Sequence, residues 1–327
     1  MEGGIRDPGY YALRIKPEIQ TWKEFGGKTR KVTYSCEPGL YAGLVFIYST
    51  KDSEFLALMN DGHVQHLRVA ATAALGVKYL SRSDSKVIGL YGSGGMARLF
   101  PVASKLVRPI ERVQVYSLNR SRLEQYCEEM RSKVDCEIVP MSDPESVARH
   151  ADIVFACTNA TEPVVHAAWL EPGTHLSNVT HYELGDDTCA RIDSAGLLAR
   201  RSPVSVKGFI DDDFTTRPLI MAYIGGSAAE RAAVPAGRHS DNRYPNARYV
   251  DCCAWDTGVP YWQQRRAREI TILANSGYGT LEGEVGQSAG IQGIQFSSIG
   301  GRIYEKAREL NLGTSLPREM FLQDVPT

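Results

Sequence analysis

The rhythm of apolar and polar positions changes near residue 85. Before it, short alternating runs at Tyr10–Lys16, Lys31–Tyr34, Leu40–Tyr48 and Phe55–Met59, separated by Gly, Pro and charged residues, predict an antiparallel sheet. Asn60-Asp61-Gly62 reads as a tight turn, and the small-residue stretch from Arg68 to Tyr79 as a closely packed helix linking two domains. From Lys86 onward the pattern predicts strand 87–91, helix 95–107, strand 112–117, helix 121–132, strand 136–139 and helix 144–149. Further strands are expected at Ile153–Cys157, His175–Val179, Val204–Val206 and Ile270–Ala274. Strands alternating with helices in this way belong to a parallel sheet with crossover helices. Residues 211–268 show no period and read as a surface elaboration, while Ile299–Leu310 reads as a helix followed by a turn at Pro317–Phe321.

The first of the parallel strands runs into Gly92-Ser93-Gly94-Gly95-Met96-Ala97, a G-x-G-x-x-A turn opening a helix. Gly92 permits the tight turn, Gly94 lets the backbone approach a pyrophosphate, and Ala97 lets helix and strand pack closely. Free N–H groups and the helix dipole then face the phosphates. The expected fold is α/β: a Rossmann-type doubly wound sheet with a smaller α+β domain. At the end of the second strand no carboxylate waits for the ribose hydroxyls. Ser117, Asn119 and Arg120 offer hydroxyl, amide and guanidinium groups instead, which favours NADP(H) over NAD(H). The alternative for Arg120 is a solvated charge at a helix start. Thr158 and Asn159, at the carboxyl end of an apolar strand, and Val179, at the end of the next, are placed on the nicotinamide side.

Composition narrows the ligand class. In 327 residues, 37 Lys plus Arg nearly cancel 38 Asp plus Glu, so no net field draws the chain to nucleic acid or to an anionic membrane. Any anion has to be held by a local site. Seven scattered Cys without C-x-x-C spacing argue against a disulfide framework and a structural zinc site, and a reducing cytoplasm fits them best. The His residues form no metal-ligand spacing, so no metal is expected. No apolar h-region or membrane-length apolar run occurs in the sequence.

The order of these features resembles the ornithine cyclodeaminase and mu-crystallin family: a strand, an Asp-Gly turn, Arg68 followed by small residues, then the glycine turn beginning 24 residues later. Ala151-Asp152-Ile153-Val154 with Thr158 and Pro163, Trp169–His175 and Ile299-Gly300-Gly301 extend the resemblance over roughly residues 10–200 and 290–325. The resemblance implies a substrate-binding and dimerisation domain from residues 1–84 with 296–327, a dinucleotide domain from 85–295, and a homodimer. It also implies hydride chemistry on the C–N bond of a small imino or amino acid, as in a ketimine reductase or amino acid dehydrogenase.

Arg68 matches the arginine that holds the substrate carboxylate, and Lys16 the strand lysine beside it, with Arg14 the less favoured match. A lysine desolvated near Arg68 could shuttle a proton; otherwise Lys16 is an ordinary surface-strand lysine. His66 and Tyr182 are further substrate-side candidates, His66 against a histidine simply bonded to backbone. Cyclodeaminating members carry an acid just after the strand at His175–Val179, where this chain has Tyr182, with Glu183 one residue on. That departure puts a cyclodeaminase using bound NAD second, and a non-catalytic NADPH-dependent binding protein of mu-crystallin type third. Relatives have several dozen residues before the position of Tyr10, so either a shorter dimer domain or a start internal to the natural reading frame is expected.

Overall fold

The computed structural model describes residues 2–6, 9–197, 244–251, 268–273 and 291–323. The expected strand at 204–206 and most of the 211–268 region lie outside them.

Eight strands form one parallel sheet, and the glycine turn sits at its middle. Its strands are β7 (Val87–Tyr91), β8 (Arg112–Tyr116), β9 (Glu137–Pro140), β10 (Ile153–Ala156), β11 (His175–Asn178), β12 (Ser194–Leu197), β13 (Arg248–Asp251) and β14 (Thr271–Leu273). They lie in the order β13-β12-β14-β11-β10-β7-β8-β9. The order reverses at β7, between β8 and β10, and a crevice at such a reversal is where doubly wound sheets take ligands.

Both faces of this sheet are covered. On one, Ile88, Leu90, Val113, Val115, Ile153 and Phe155 pack against residues of α1 (Asp61–Leu80), α2 (Gly95–Lys105) and α3 (Arg120–Arg131), with Phe100 stacked on Phe155 at 4.7 Å between ring centroids. On the other, Val154, Leu176 and Ile272 pack against α4 (Glu145–Ala148), α5 (Asp186–Ala190) and Ile192. The near-continuous apolar runs of β7, β8 and β10 reflect this two-sided burial.

The N-terminal strands β1 (Glu2–Arg6), β2 (Tyr10–Ile15), β5 (Leu44–Ser49) and β6 (Phe55–Asn60) form an antiparallel sheet in the order β1-β2-β5-β6. The helix α6 (Ile291–Glu309) lies on this sheet, and Phe296, Ile299 and Ile303 share a core with Ala12, Val45, Ile47 and Val64. The C-terminal helix thus joins the N-terminal sheet. The remaining N-terminal pair, β3 (Ile19–Phe25) and β4 (Lys28–Tyr34), is a separate hairpin. Gly26 and Gly27 take φ of 58° and 72° in its two-residue loop, as a hairpin turn of the primed type requires.

Asn60-Asp61-Gly62 is no turn: it starts α1, seven residues before the expected helix. Asn60 caps it, accepting from the Gly62 N–H at 2.8 Å, and Asp61 supplies the acid that a helix N-terminus favours. The same residue types serve hairpin turns and helix caps, and the packing of the next segment selects between the two. Here that segment is a 20-residue helix whose Val64 packs with the N-terminal sheet and whose Val69 to Val77 pack on the parallel one. α6 likewise begins eight residues before the expected start at Ile299. None of the described helices is long and apolar enough to cross a membrane.

Candidate active site

A cleft of about 720 Å³ opens at the carboxyl ends of β7, β8 and β10, within the roughly 300–1,000 Å³ usual for small-molecule sites. Tyr91 to Met96, Tyr116 to Asn119, Arg122, Cys157 to Val164, His66 and Val179 line it, together with one face of the β3–β4 hairpin. The glycine turn has the shape a dinucleotide needs. Gly92 stands at φ 105°, and a Cβ there would lie 2.6 Å from the Cys157 carbonyl oxygen. Gly94 caps α2 without any side-chain hydrogen bond, and a Cβ there would meet nothing within 4 Å. Ser93 to Met96, at the start of α2, line the cleft, and a helix start placed so is where a phosphate binds. These residues fit a dinucleotide.

His66 packs its ring onto Gly95, where a Cβ would stand 2.2 Å from the ring's Cε1. Burial lowers its pKa, and the neighbouring His63 lowers it further, so the ring is held neutral at the helix N-terminus.

Arg120 does not line the cleft. Its Nε pairs with Glu124 at 2.9 Å one turn along α3, in an exposed position. Arg122 lines the cleft in its place, beside Ser117 and Asn119, and also borders the adjoining hollow formed with Ser93, Gly94 and Arg98. The reason is the cap: Asn119 accepts from the Arg122 N–H at 3.0 Å and starts the helix so that Arg120 falls on the outer face.

Lys16 stands exposed just beyond β2, its ammonium 2.6 Å from Glu18 and over the Tyr41 ring. Arg14, two residues earlier on the same face of the strand, is the buried cation. Its Nε bonds the wholly buried Asp61 at 2.5 Å, and its guanidinium lies 4.8 Å from the Phe296 ring centroid. Arg68 reaches the same ring at 5.3 Å and is 1% exposed. It donates to Gln65 Oε1 at 2.9 Å and to Gln295 Oε1 at 3.0 Å. Arg14 and Arg68 thus converge under α6, and neither is among the residues lining the cleft. Tyr182 is half-buried on a short turn beyond β11 and also lies off the lining.

Glu183 shows a role the sequence did not reveal. It is fully buried, and its carboxylate accepts from the N–H groups of Thr158, Val179 at 2.8 Å and Thr180 at 2.9 Å, and from the Thr158 hydroxyl at 3.0 Å. One side chain therefore fixes both loops after β10 and β11, where Thr158 and Val179 meet the cleft. The Thr-x-x-Glu capping box at 180–183 is the signal that marks it.

Burial raises the Glu183 pKa above its ordinary 4.5, with the four donors acting the other way. The native chain accordingly holds this proton more tightly than the unfolded chain, and stability falls as pH rises through the interval above 4.5. Glu183→Gln is expected to remove that decline, read from urea midpoints across the interval. Parallel profiles for the two proteins would contradict it.

Residues 29–189 match the model of the ornithine cyclodeaminase/mu-crystallin family. They belong to that family. Among similar sequences, a putative dehydrogenase of Rhizobium meliloti (strain 1021) is 33% identical over 136 residues, 41% of each chain. A Delta(1)-pyrroline-2-carboxylate reductase of Paracoccus denitrificans is 30% identical over 135 residues, 41% of this chain and 42% of the relative. The matched stretch spans about two fifths of each of these relatives' lengths. Among solved structures, the Thermococcus litoralis Delta(1)-pyrroline-2-carboxylate reductase in complex with NADH and L-proline aligns with a TM-score of 0.62 at 23% identity, over 93% of this chain and 90% of that one. That alignment shows a shared fold.

Proposed function

We propose that the protein is an NAD(P)H-dependent oxidoreductase acting on the C–N bond of a small imino or amino acid. One observation carries this reading: the free N-terminus of α2 opens over Gly94 into a cleft at the sheet's switch point. The family membership of residues 29–189 supports it, as do relatives named as reductases of a cyclic imino acid. A bound nicotinamide supplies the hydride. The chain's own residues bind and orient: Ser93 to Gly95 present N–H groups to the diphosphate, and His66 covers the turn. Thr158 and Val179, fixed by Glu183, set the floor on the nicotinamide side.

We propose Arg68 for the substrate carboxylate on its match to the family arginine, although here Gln65 and Gln295 hold it off the cleft lining, and the substrate and dimer-forming part in residues 1–84 with 296–327. The packing of α6 on β1, β2 and β5 supports that division. Lys16, held by Glu18 outside the cleft, is not given the proton-transfer step.

Two features refine the reading. Glu183 is engaged by four donors in its own loops, which leaves its carboxylate no part in deamination and disfavours the cyclodeaminase reading. Arg122 beside Ser117 and Asn119, with no carboxylate among the residues at the end of β8, supports NADP(H). Arg122→Glu is expected to weaken NADPH binding about tenfold or more relative to NADH, whereas Arg120→Glu leaves the ratio unchanged. The reverse pattern in fluorescence titrations would return the phosphate to Arg120. The function itself is tested by a screen of cyclic and linear α-imino acids with NADPH and NADH that tracks cofactor oxidation and ammonia together. Oxidation without ammonia release is expected, and ammonia release without net oxidation would overturn the reading.

A further inference from the structure

The β3–β4 hairpin belongs to neither sheet, yet it reaches across the cleft. It is pinned to the loop after β10 by a short antiparallel pairing. The Lys31 N–H donates to the Asn159 carbonyl at 3.1 Å, the Asn159 side chain donates to the Lys31 carbonyl at 3.1 Å, and the Thr161 hydroxyl donates to the Thr29 carbonyl at 2.9 Å. Arg30 forms an isolated bridge with Ala160 at the centre of that pairing. These are one backbone bond and two side-chain-to-backbone bonds at the rim, and a segment held by so few bonds opens at small cost.

Its cleft-facing side is cationic. Lys23, Lys28 and Arg30 line the cleft with Glu24, whose carboxylate takes the Thr29 hydroxyl at 2.5 Å. On the far rim Glu162 lies 3.9 Å from the Lys28 ammonium. Neither Lys23 nor Arg30 has a carboxylate within ion-pair distance among the described residues, and of the two only Arg30 has a buried nitrogen without an acceptor among them. Its Nη1 donates to the Asn159 amide oxygen at 3.2 Å, and its Nε is buried with no acceptor among the described residues. A buried N–H donor left without an acceptor is destabilising. Across the cleft lie Ser93 to Met96, at the start of α2.

We infer that the hairpin is a clasp for the dinucleotide, with Arg30 giving its unfilled Nε–H and its charge to a phosphate group of the cofactor opposite Ser93 to Gly95. The inference rests on the cofactor reading above and adds the element that closes over the cofactor. A diphosphate and a ribose 2′-phosphate share the chemistry Arg30 would recognise, and the two cofactors separate them.

The test compares wild type and Arg30→Gln by fluorescence titration with NADH and with NADPH, each protein first shown to melt cooperatively. Arg30→Gln is expected to raise Kd about tenfold to a hundredfold, the size of a lost charge-assisted hydrogen bond. An equal loss for both nucleotides assigns Arg30 to the diphosphate, and a loss for NADPH alone assigns it to the 2′-phosphate. Unchanged affinity for both overturns the clasp while leaving the cofactor site standing. The second measurement uses wild type only: trypsin cleavage after Lys23, Lys28 and Arg30 is expected to slow on adding NADH or NADPH. Cleavage at the same rate with a nucleotide bound also overturns the clasp, and failure of wild type to bind either nucleotide overturns both inferences.

Discussion

Gly94→Asp is expected to lose at least a hundredfold in NAD(P)H affinity while keeping its thermal stability. The backbone allows the change: Gly94 has φ −80° and ψ −169°, extended values open to any residue, and its Cβ would point into empty space. Asp is itself a favourable cap at a helix start, worth roughly a few tenths of a kcal/mol over glycine. What suffers is the anion site. The new carboxylate would take the N–H groups meant for a phosphate and set a negative charge against it. At about 4 Å and an effective dielectric near 20, that repulsion is about 4 kcal/mol, on the order of a thousandfold in affinity. Nicotinamide fluorescence and a thermal melt on the same sample separate the two effects. Undiminished affinity would show that the phosphates lie elsewhere. A collapse of the melt would show that Gly94 is needed for the fold.

The second large effect is on stability. Asp61→Ala is expected to destabilise the protein by about 3–5 kcal/mol, the usual result of leaving one member of a buried ion pair without the other. Asp61 is 0% exposed and Arg14 is 4% exposed, so water cannot take over from the lost carboxylate. Asp61 also stands in the first turn of α1, where its charge meets the positive end of the helix, and its N–H bonds the Gly43 carbonyl at 2.9 Å. Replacing both partners with apolar residues, as in Arg14→Met with Asp61→Leu, is expected to cost much less, because no charge is then stranded. Urea unfolding of the three proteins decides the matter, and a loss below about 1 kcal/mol for Asp61→Ala would remove the pair from the fold's foundations.

The parallel sheet was legible because β7, β8 and β10 are short apolar runs buried on both faces, spaced by helices of the right length. The strands the sequence hid are those with little side chain to show. Ser194-Ala195-Gly196-Leu197 has no β-branched residue, and it becomes a strand because β13 and β14 pair with it on both sides. The hairpin strand Ile19–Phe25 is hidden too, because its exposed and half-exposed positions give no buried face. In the candidate site, the glycine turn was readable residue by residue, since backbone constraints act locally. The arginines were not. Arg120 and Arg122, like Lys16 and Arg14, sit two positions apart, and only the helix cap at Asn119 and the placement of Asp61 decide which of each pair turns inward. Glu183 is legible as a capping acid from Thr180-x-x-Glu183 but not as the group that fixes the Thr158 loop, because that bond spans 25 residues of sequence.

Hydride transfer from a nicotinamide bound over Gly94 to the carbon of a substrate C=N bond is the step on which the proposed function turns. Its most direct test is turnover of an α-imino acid with NADPH deuterated at the transferring C4 position, with mass spectrometry and proton NMR of the amino acid formed. Direct transfer places one deuterium on the α-carbon for each cofactor oxidised. An amino acid formed without deuterium at that carbon, or an undiminished NADPH pool beside released ammonia, would contradict it.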